Sequence, residues 1–261
     1  MNDIYRFISC VFFILIFFIS APVTGSEITI FGNSSKPPKI YLENGQPKGI
    51  LVDILKYIDE QTPVEFKIKL MPWKRAYQSA INAKGGVIGL SKNDERLKIF
   101  DYSEALFIDE VVMVVLKGNE FHYENIHDLK GKVIGLRRGA SYGNKFETGK
   151  QSIFKAEGDD SSKQRLFKLL SRHIDVAFIS PGKVGVNNAI ESDVRLRTNR
   201  DKFVVLSTPF KMDPNHIGFA KSMQMEAVLK QINDIVIKGK ESGDIQRIID
   251  HHMVEPPAGE I

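Results

Sequence analysis

The stretch Gly89-Leu90-Ser91-Lys92-Asn93-Asp94-Glu95-Arg96, followed by Phe100-Asp101-Tyr102-Ser103, gathers the residue types that hold a small carboxylate. A buried strand, Val87 to Leu90, that ends in Gly-x-Ser leaves backbone N–H groups and a hydroxyl at the C-terminal edge of a sheet. Open α/β sheets take their ligands at that edge. Asn93 or Asp94 can cap a short helix, and Arg96 then projects from its first turn. A guanidinium there can grip a carboxylate through two parallel hydrogen bonds, with backbone N–H groups completing the cradle. The same residues also suit a surface arginine paired with Glu95 or Asp101, and local chemistry alone does not separate the two.

Other chemistry is thinly represented. Gly139-Ala140-Ser141-Tyr142-Gly143 is Gly-rich but lacks the Lys-Ser/Thr of a phosphate-binding loop, and no His-Glu-x-x-His occurs. The adjacent His251-His252 reads as a solvated pair on a terminal helix. The only cysteine, Cys10, lies inside an N-terminal apolar run, so the chain beyond that run has no disulfide, thiolate metal site or cysteine nucleophile. No cofactor is expected. The net charge of +4 is spread along the 261 residues with no dense basic tract, which argues against nucleic acid and membrane surfaces as partners.

The elements that must position these residues alternate. Ile28 to Phe31 reads as a strand, and Gly49 to Gln61 as a helix whose Ile50, Leu51, Ile54, Leu55 and Ile58 form one apolar stripe. Val64 to Leu70 alternates apolar and polar residues as a half-buried strand does. Pro72 then opens a helix through Ala83, and Val87 to Leu90 is a short buried strand. This order argues for a mostly parallel sheet with crossover helices. After the apolar run Val111 to Leu116 the alternation restarts. Strands are expected at Val133 to Leu136, Ser152 to Ala156 and Ile174 to Ile179. Helices are expected after the Gly139–Gly143 turn, over Ser161 to Arg172, and after Ser180-Pro181, with Ser180 at the N-cap and Pro181 at N1. Lys202 to Leu206 and Ile217 to Ala220 return the chain to the first unit, and Met225 to Met253 ends it in helices.

The N-terminus has the form of a secretory signal peptide. A short polar start precedes the apolar run Phe7 to Ile19, and the small residues Ser20 to Ser26 follow with Pro22 among them. The run falls short of the ~20 apolar residues that a membrane span requires, so cleavage near residue 26 and export to the periplasm are expected. The 235 residues from Glu27 onward suffice for one large domain or two lobes. With no disulfide, their stability rests on the core.

Four segments in order resemble the amino-acid-type periplasmic solute-binding proteins of ABC importers. Gly89, Ser91, Arg96 and Phe100 to Ser103 resemble that family's ligand-carboxylate stretch. Gly49 to Leu55 (GILVDIL) resembles its G-F-D-V-D-L helix start, Asp128 to Leu136 (DLKGKVIGL) its D-L-K-G-K-x-V-G-V, and Ile174 to Ala177 its V-D-A-V strand. The likeness spans Glu27 to about Met253. It implies an α/β type II periplasmic binding fold of two lobes, each a mostly parallel sheet flanked by helices. The lobes would be joined by a two-strand hinge, with residues 27–115 and 212–255 forming the first and 116–211 the second. Residues 1–26 would be the leader and 256–261 a disordered tail.

The resemblance also implies a cleft. Gly89, Ser91 and Arg96 would hold the ligand carboxylate. Trp73 would pack its face on the ligand, and Arg137 and Ser141 would close from the second lobe. Asn33, after the first strand, could reach the cleft. The family usually places an aspartate for the α-ammonium group where this chain has Ser180, and an acidic residue where it has Lys84-Gly85-Gly86. With Arg75, Arg137 and Arg138 adding positive charge, the expected ligand is more anionic, or less cationic, than a neutral amino acid. The expected function is capture of a small carboxylate-bearing solute by lobe closure and delivery, as a monomer, to an inner-membrane ABC permease. Two alternatives are a dehydratase of the same fold, which needs a protonatable carboxylate or histidine beside the clamp, and a binding subunit that serves a sensor kinase.

Overall fold

The computed structural model describes residues 27–253, so the expected leader (1–26) and tail (256–261) lie outside the described residues. Strand β1 (Ile28–Asn33) lies between β5 (Phe66–Met71) and β6 (Gly86–Leu90), parallel to both. Helix α1 (Ile50–Asp59) covers this sheet because its stripe Ile50, Leu51, Ile54, Leu55 and Ile58 is almost fully buried. Helix α2 (Trp73–Ile81) follows β5, with Pro72 at its N-cap, and Asn93 caps the short α3 (Asp94–Ile99). Strand β7 (Phe100–Tyr102) then leads into β8 (Phe107–Leu116).

The ten-residue β8 explains the apolar run in the sequence, since a strand covered on both faces has no polar side to show. Val111, Met113 and Val115 face one cluster, with Leu129, Ile134, Phe146 and Phe178. Val112 and Val114 face the other, with Leu166, Leu169, Ile190 and Leu196. Its partner on one side is β13 (Lys211–Ala220), antiparallel over Phe107–Val111; beyond that point β8 pairs with β11 (Val176–Ile179) and β12 (Phe203–Val205). Strands β9 (Val133–Arg137), β10 (Lys155–Asp159) and β11 run parallel to one another. The sheet therefore runs from β5 at one edge to β10 at the other, with β8 and β13 joining two α/β units.

Helices α4 (Asn144–Ser152), α5 (Ser162–Leu170), α6 (Gly182–Glu191) and α7 (Val194–Thr198) belong to the second unit, while α8 (Glu226–Glu241) and α9 (Asp244–Met253) return to the first. Leu229, Ile232, Val236 and Ile245 on these last two helices pack into the same core as α1. No helix among the described residues is long and apolar enough to cross a membrane.

Three local expectations are corrected. The strand expected over Ser152 to Ala156 lies at Lys155–Asp159, because α4 runs through Ser152 and the buried Phe154 packs on Phe146 at the joint, ring centroids 4.8 Å apart. Ser180 is not the N-cap of α6; Pro181 holds that position without a side-chain cap bond. A three-stranded sheet, β2 (Ser35–Lys36), β3 (Ile40–Glu43) and β4 (Gln46–Lys48), stands where the sequence reading had no element. Its hairpin turns on Asn44-Gly45, both at positive φ, and Asn-Gly is the strongest short-range signal for such a turn.

Candidate functional site

A narrow cavity of about 50 Å³ lies between the two units. It is lined by Asn33, Trp73, Gly89, Ser91, Arg96, Arg137, Ser141 and Ser180, which are eight of the nine residues expected from the sequence. The ninth, Arg75, is exposed on the solvent side of α2 and away from the lining, because that helix buries Trp73, Ala76 and Ala80 instead. Arg138 also points outward, beside Asp160 at 3.7 Å.

Arg96 is placed by its own backbone. The Asn93 side chain accepts a hydrogen bond from Arg96 N at 2.8 Å, which starts α3 and turns the arginine inward to 4 % exposure. Its guanidinium donates to Ser91 O (3.1 Å) and Gly139 O (3.4 Å) and lies 4.9 Å from the Tyr77 ring centroid. Neither Glu95 nor Asp101 pairs with it; no carboxylate lies within 4 Å of it among the described residues. Gly89, where β6 ends, sits at φ +83, a left-handed conformation that costs other residues, and an added Cβ would press on Leu51 at 3.2 Å.

The second unit closes over this edge through named contacts. Trp73 Nε1 donates to Gly139 O at 3.0 Å, Asn93 Nδ2 to Ser141 Oγ at 2.8 Å, and Arg137 Nη2 to Ser35 O at 2.8 Å; Asn144 also donates to Asp94. Arg137 gives its other terminal nitrogen to Asp160 O at 2.8 Å and, like Arg96, has no carboxylate partner among the described residues. Burial, and then the neighbouring Arg165 charge, bring its pKa down to about 10.

Lys36, Lys39, Tyr142, Arg165 and Asp213 also line the cavity and escaped the sequence reading. Lys36 and Lys39 converge on one oxygen of the buried Asp109, at 2.7 and 2.6 Å. Burial presses the Lys36 ammonium down; Asp109 resists, the Lys39 and Arg137 charges add to the pressure, and its pKa falls to about 7. Burial likewise opposes the charge on Asp109, but the two lysines outweigh it and hold the carboxyl at about 2. Arg165 forms a buried pair with Asp159 at 2.8 Å. Asp213 accepts from Ser91 Oγ at 2.6 Å and faces Lys211 Nζ at 2.9 Å, so the hydroxyl expected to serve the ligand is engaged by the protein. Two signals could have exposed these residues. Asp109 is a buried acid in a mostly apolar strand, and Arg165 stands four residues before Leu169, on the face of α5 that packs inward.

Two α/β units joined by paired strands, with a cation-lined cleft between them, define the architecture of the type II periplasmic binding proteins. The chain matches the bacterial extracellular solute-binding proteins, family 3, over residues 28–255, and it belongs to that family. It is 24 % identical over 208 residues to the L-cystine-binding protein TcyJ of Escherichia coli, covering 79 % of this chain and 74 % of that one. A mutant of ArgBP from T. maritima superposes with a TM-score of 0.70 at 23 % identity, over 88 % of this chain and 96 % of that one. A histidine kinase sensor domain with similarity to periplasmic binding proteins reaches a TM-score of 0.73 at 17 % identity, over 89 % and 99 %.

Proposed function

We propose that this protein captures a small, carboxylate-bearing, amino-acid-like solute in the periplasm and delivers it to an inner-membrane ABC permease, binding and releasing it without breaking a bond. Arg96 carries the reading. It is a buried guanidinium that faces a cavity beside two carbonyl oxygens and the Tyr77 ring, with no carboxylate partner among the described residues. A charge so placed is costly until a counter-ion arrives, and a carboxylate matches its planar fork. Gly89 and Ser91 support it from the strand end, Trp73 forms an aromatic wall, and Arg137 with Ser141 closes from the second lobe. Asn33 and Ser180 complete the lining. Asp213 supplies an acidic group for an α-ammonium, a role for which Ser180 has no charge.

A division of the chain into two lobes is supported by the pairing of β8, which changes partners between Val111 and Val112. The binding role is supported by the family and by the likeness to the L-cystine-binding protein TcyJ, and the protein acts as a monomer in this reading. The test is a thermal-shift screen of protein stripped of carried-over solute by unfolding and refolding, with amino acids (cystine included), dicarboxylates, keto acids and small peptides. A true ligand at about 100 times its Kd adds about 2.7 kcal/mol, a rise of roughly 5–10 °C for a chain of this size. The rise should vanish in Arg96→Ala. A rise that persists in that variant would remove Arg96 from the site.

A further inference from the structure

The charges around the cleft do not balance. Arg165 is neutralised by Asp159 and Asp213 by Lys211. Asp109 takes both Lys36 and Lys39 on a single oxygen, Oδ2, and neutralises one of the two; its Oδ1 has no hydrogen-bond partner among the described residues. Arg96 and Arg137 have no carboxylate within 4 Å among the described residues. Up to three positive charges are thus left facing one small cavity, and a single ligand carboxylate on Arg96 leaves the others unanswered.

The unanswered pair is localised. Arg137 Nη2 bonds to the carbonyl of Ser35, the residue that precedes Lys36, while Arg96 is framed by Ser91 O and Gly139 O. The two guanidiniums therefore sit on different backbone frames, and one carboxylate is not expected to serve both. Arg137 comes from the second lobe and Lys36 from the first, so an anion between them also bridges the lobes. Buried cations of this kind are costly alone and strongly favourable to a matching anion.

We propose that the cleft selects a solute with two acidic groups, the first held by Arg96 and the second by Arg137 and Lys36. A short dicarboxylate and an acidic amino acid share this chemistry. The inference rests on the solute-binding reading of the same cleft and adds the class of solute.

Titration calorimetry on the stripped protein tests it with L-glutamate, L-aspartate, glutarate and succinate. Their single-carboxylate counterparts L-glutamine and L-asparagine, together with L-arginine and L-histidine, provide the contrast. At least one of the two-carboxylate solutes, dianions in their acidic groups, should bind at least tenfold more tightly than L-glutamine, L-asparagine or either basic amino acid. This comparison needs no variant. In Lys36→Gln and in Arg137→Gln, whose folding is checked by circular dichroism, the ratio of dianion to amide affinity should collapse toward one. Preference for L-glutamate over glutarate would assign the ammonium to the site, and the reverse would assign a plain dicarboxylate. Tight binding of L-glutamine, L-arginine or L-histidine with weak or absent dianion binding would overturn the second acid site and leave solute capture standing. Dianion selectivity that survives both variants would remove Arg137 and Lys36 from it. Silence across this panel and the wider one above would overturn both readings together.

Discussion

In the proposed site, burial is what would make Arg96 and Lys36 selective. A truncated partner in a buried charge pair costs about 2–5 kcal/mol, so Arg96→Ala should weaken the ligand by at least roughly 30-fold. In the proposed site Lys36 would make binding sensitive to pH. Its ammonium faces Asp109 from β8, Lys39 from its own loop and Arg137 from β9, and it titrates near 7 in the folded protein against 10.5 when free. Between those values the unfolded chain holds a proton that the folded chain does not. The unliganded protein therefore gains stability from Lys36 as pH rises from 7 to 10.5. Binding of a dianion works in the opposite sense, because it needs the charged ammonium. Its affinity should fall by up to roughly tenfold per pH unit above 7, with proton uptake measurable by calorimetry in buffers of different ionisation enthalpy. A flat affinity from pH 6 to 9 would show that Lys36 does not touch the ligand.

At the level of elements, the strands place side chains that neighbours in sequence cannot. Strand β9 carries Arg137 and β10 carries Asp159, and α5 returns Arg165 to bind both Asp159 and the carbonyl of Phe178 on β11. Arg165 lines the cavity, and its pair with Asp159 ties α5 to β10. Loss of the Asp159 charge leaves Arg165 buried without its partner, which typically costs about 3–5 kcal/mol. Asp159→Asn should lower the denaturation midpoint accordingly, and an unchanged midpoint would mean that water reaches Arg165. Much of this layer was legible beforehand. The stripe of α1, the alternation of β5 and the Asn93 cap are local patterns, and the structure bears them out. The β2–β4 sheet was missed although Asn44-Gly45 signalled it, because its strands are two to four residues long and carry almost no apolar periodicity. Its omission also hid Lys36 and Lys39, which lie on and beside it.

The whole molecule is drawn in a closed form. Trp73, Asn93 and Arg137 each reach across the cleft, and the remaining cavity of about 50 Å³ has room for only a few waters. Entry of an amino-acid-sized solute therefore requires the lobes to part about β8 and β13, the hinge closure known for periplasmic binding proteins. Small-angle scattering should show the stripped protein with a larger radius of gyration than the liganded one. Equal radii, with binding established by calorimetry, would rule out this motion.

The sequence by itself determined the class of fold, since hydrophobic periodicity of about 3.6 or 2 residues is a local property. It also brought together the parts of the proposed clamp, because strand end, cap and arginine fall within Gly89 to Arg96. Tertiary structure decided the charge balance of the cleft. Lys36 meets Asp109 across 73 positions, and Arg137 meets the Ser35 carbonyl across 102. No local pattern couples residues at such separations. Only the closed fold shows which cations have lost their water and which of them have found a partner.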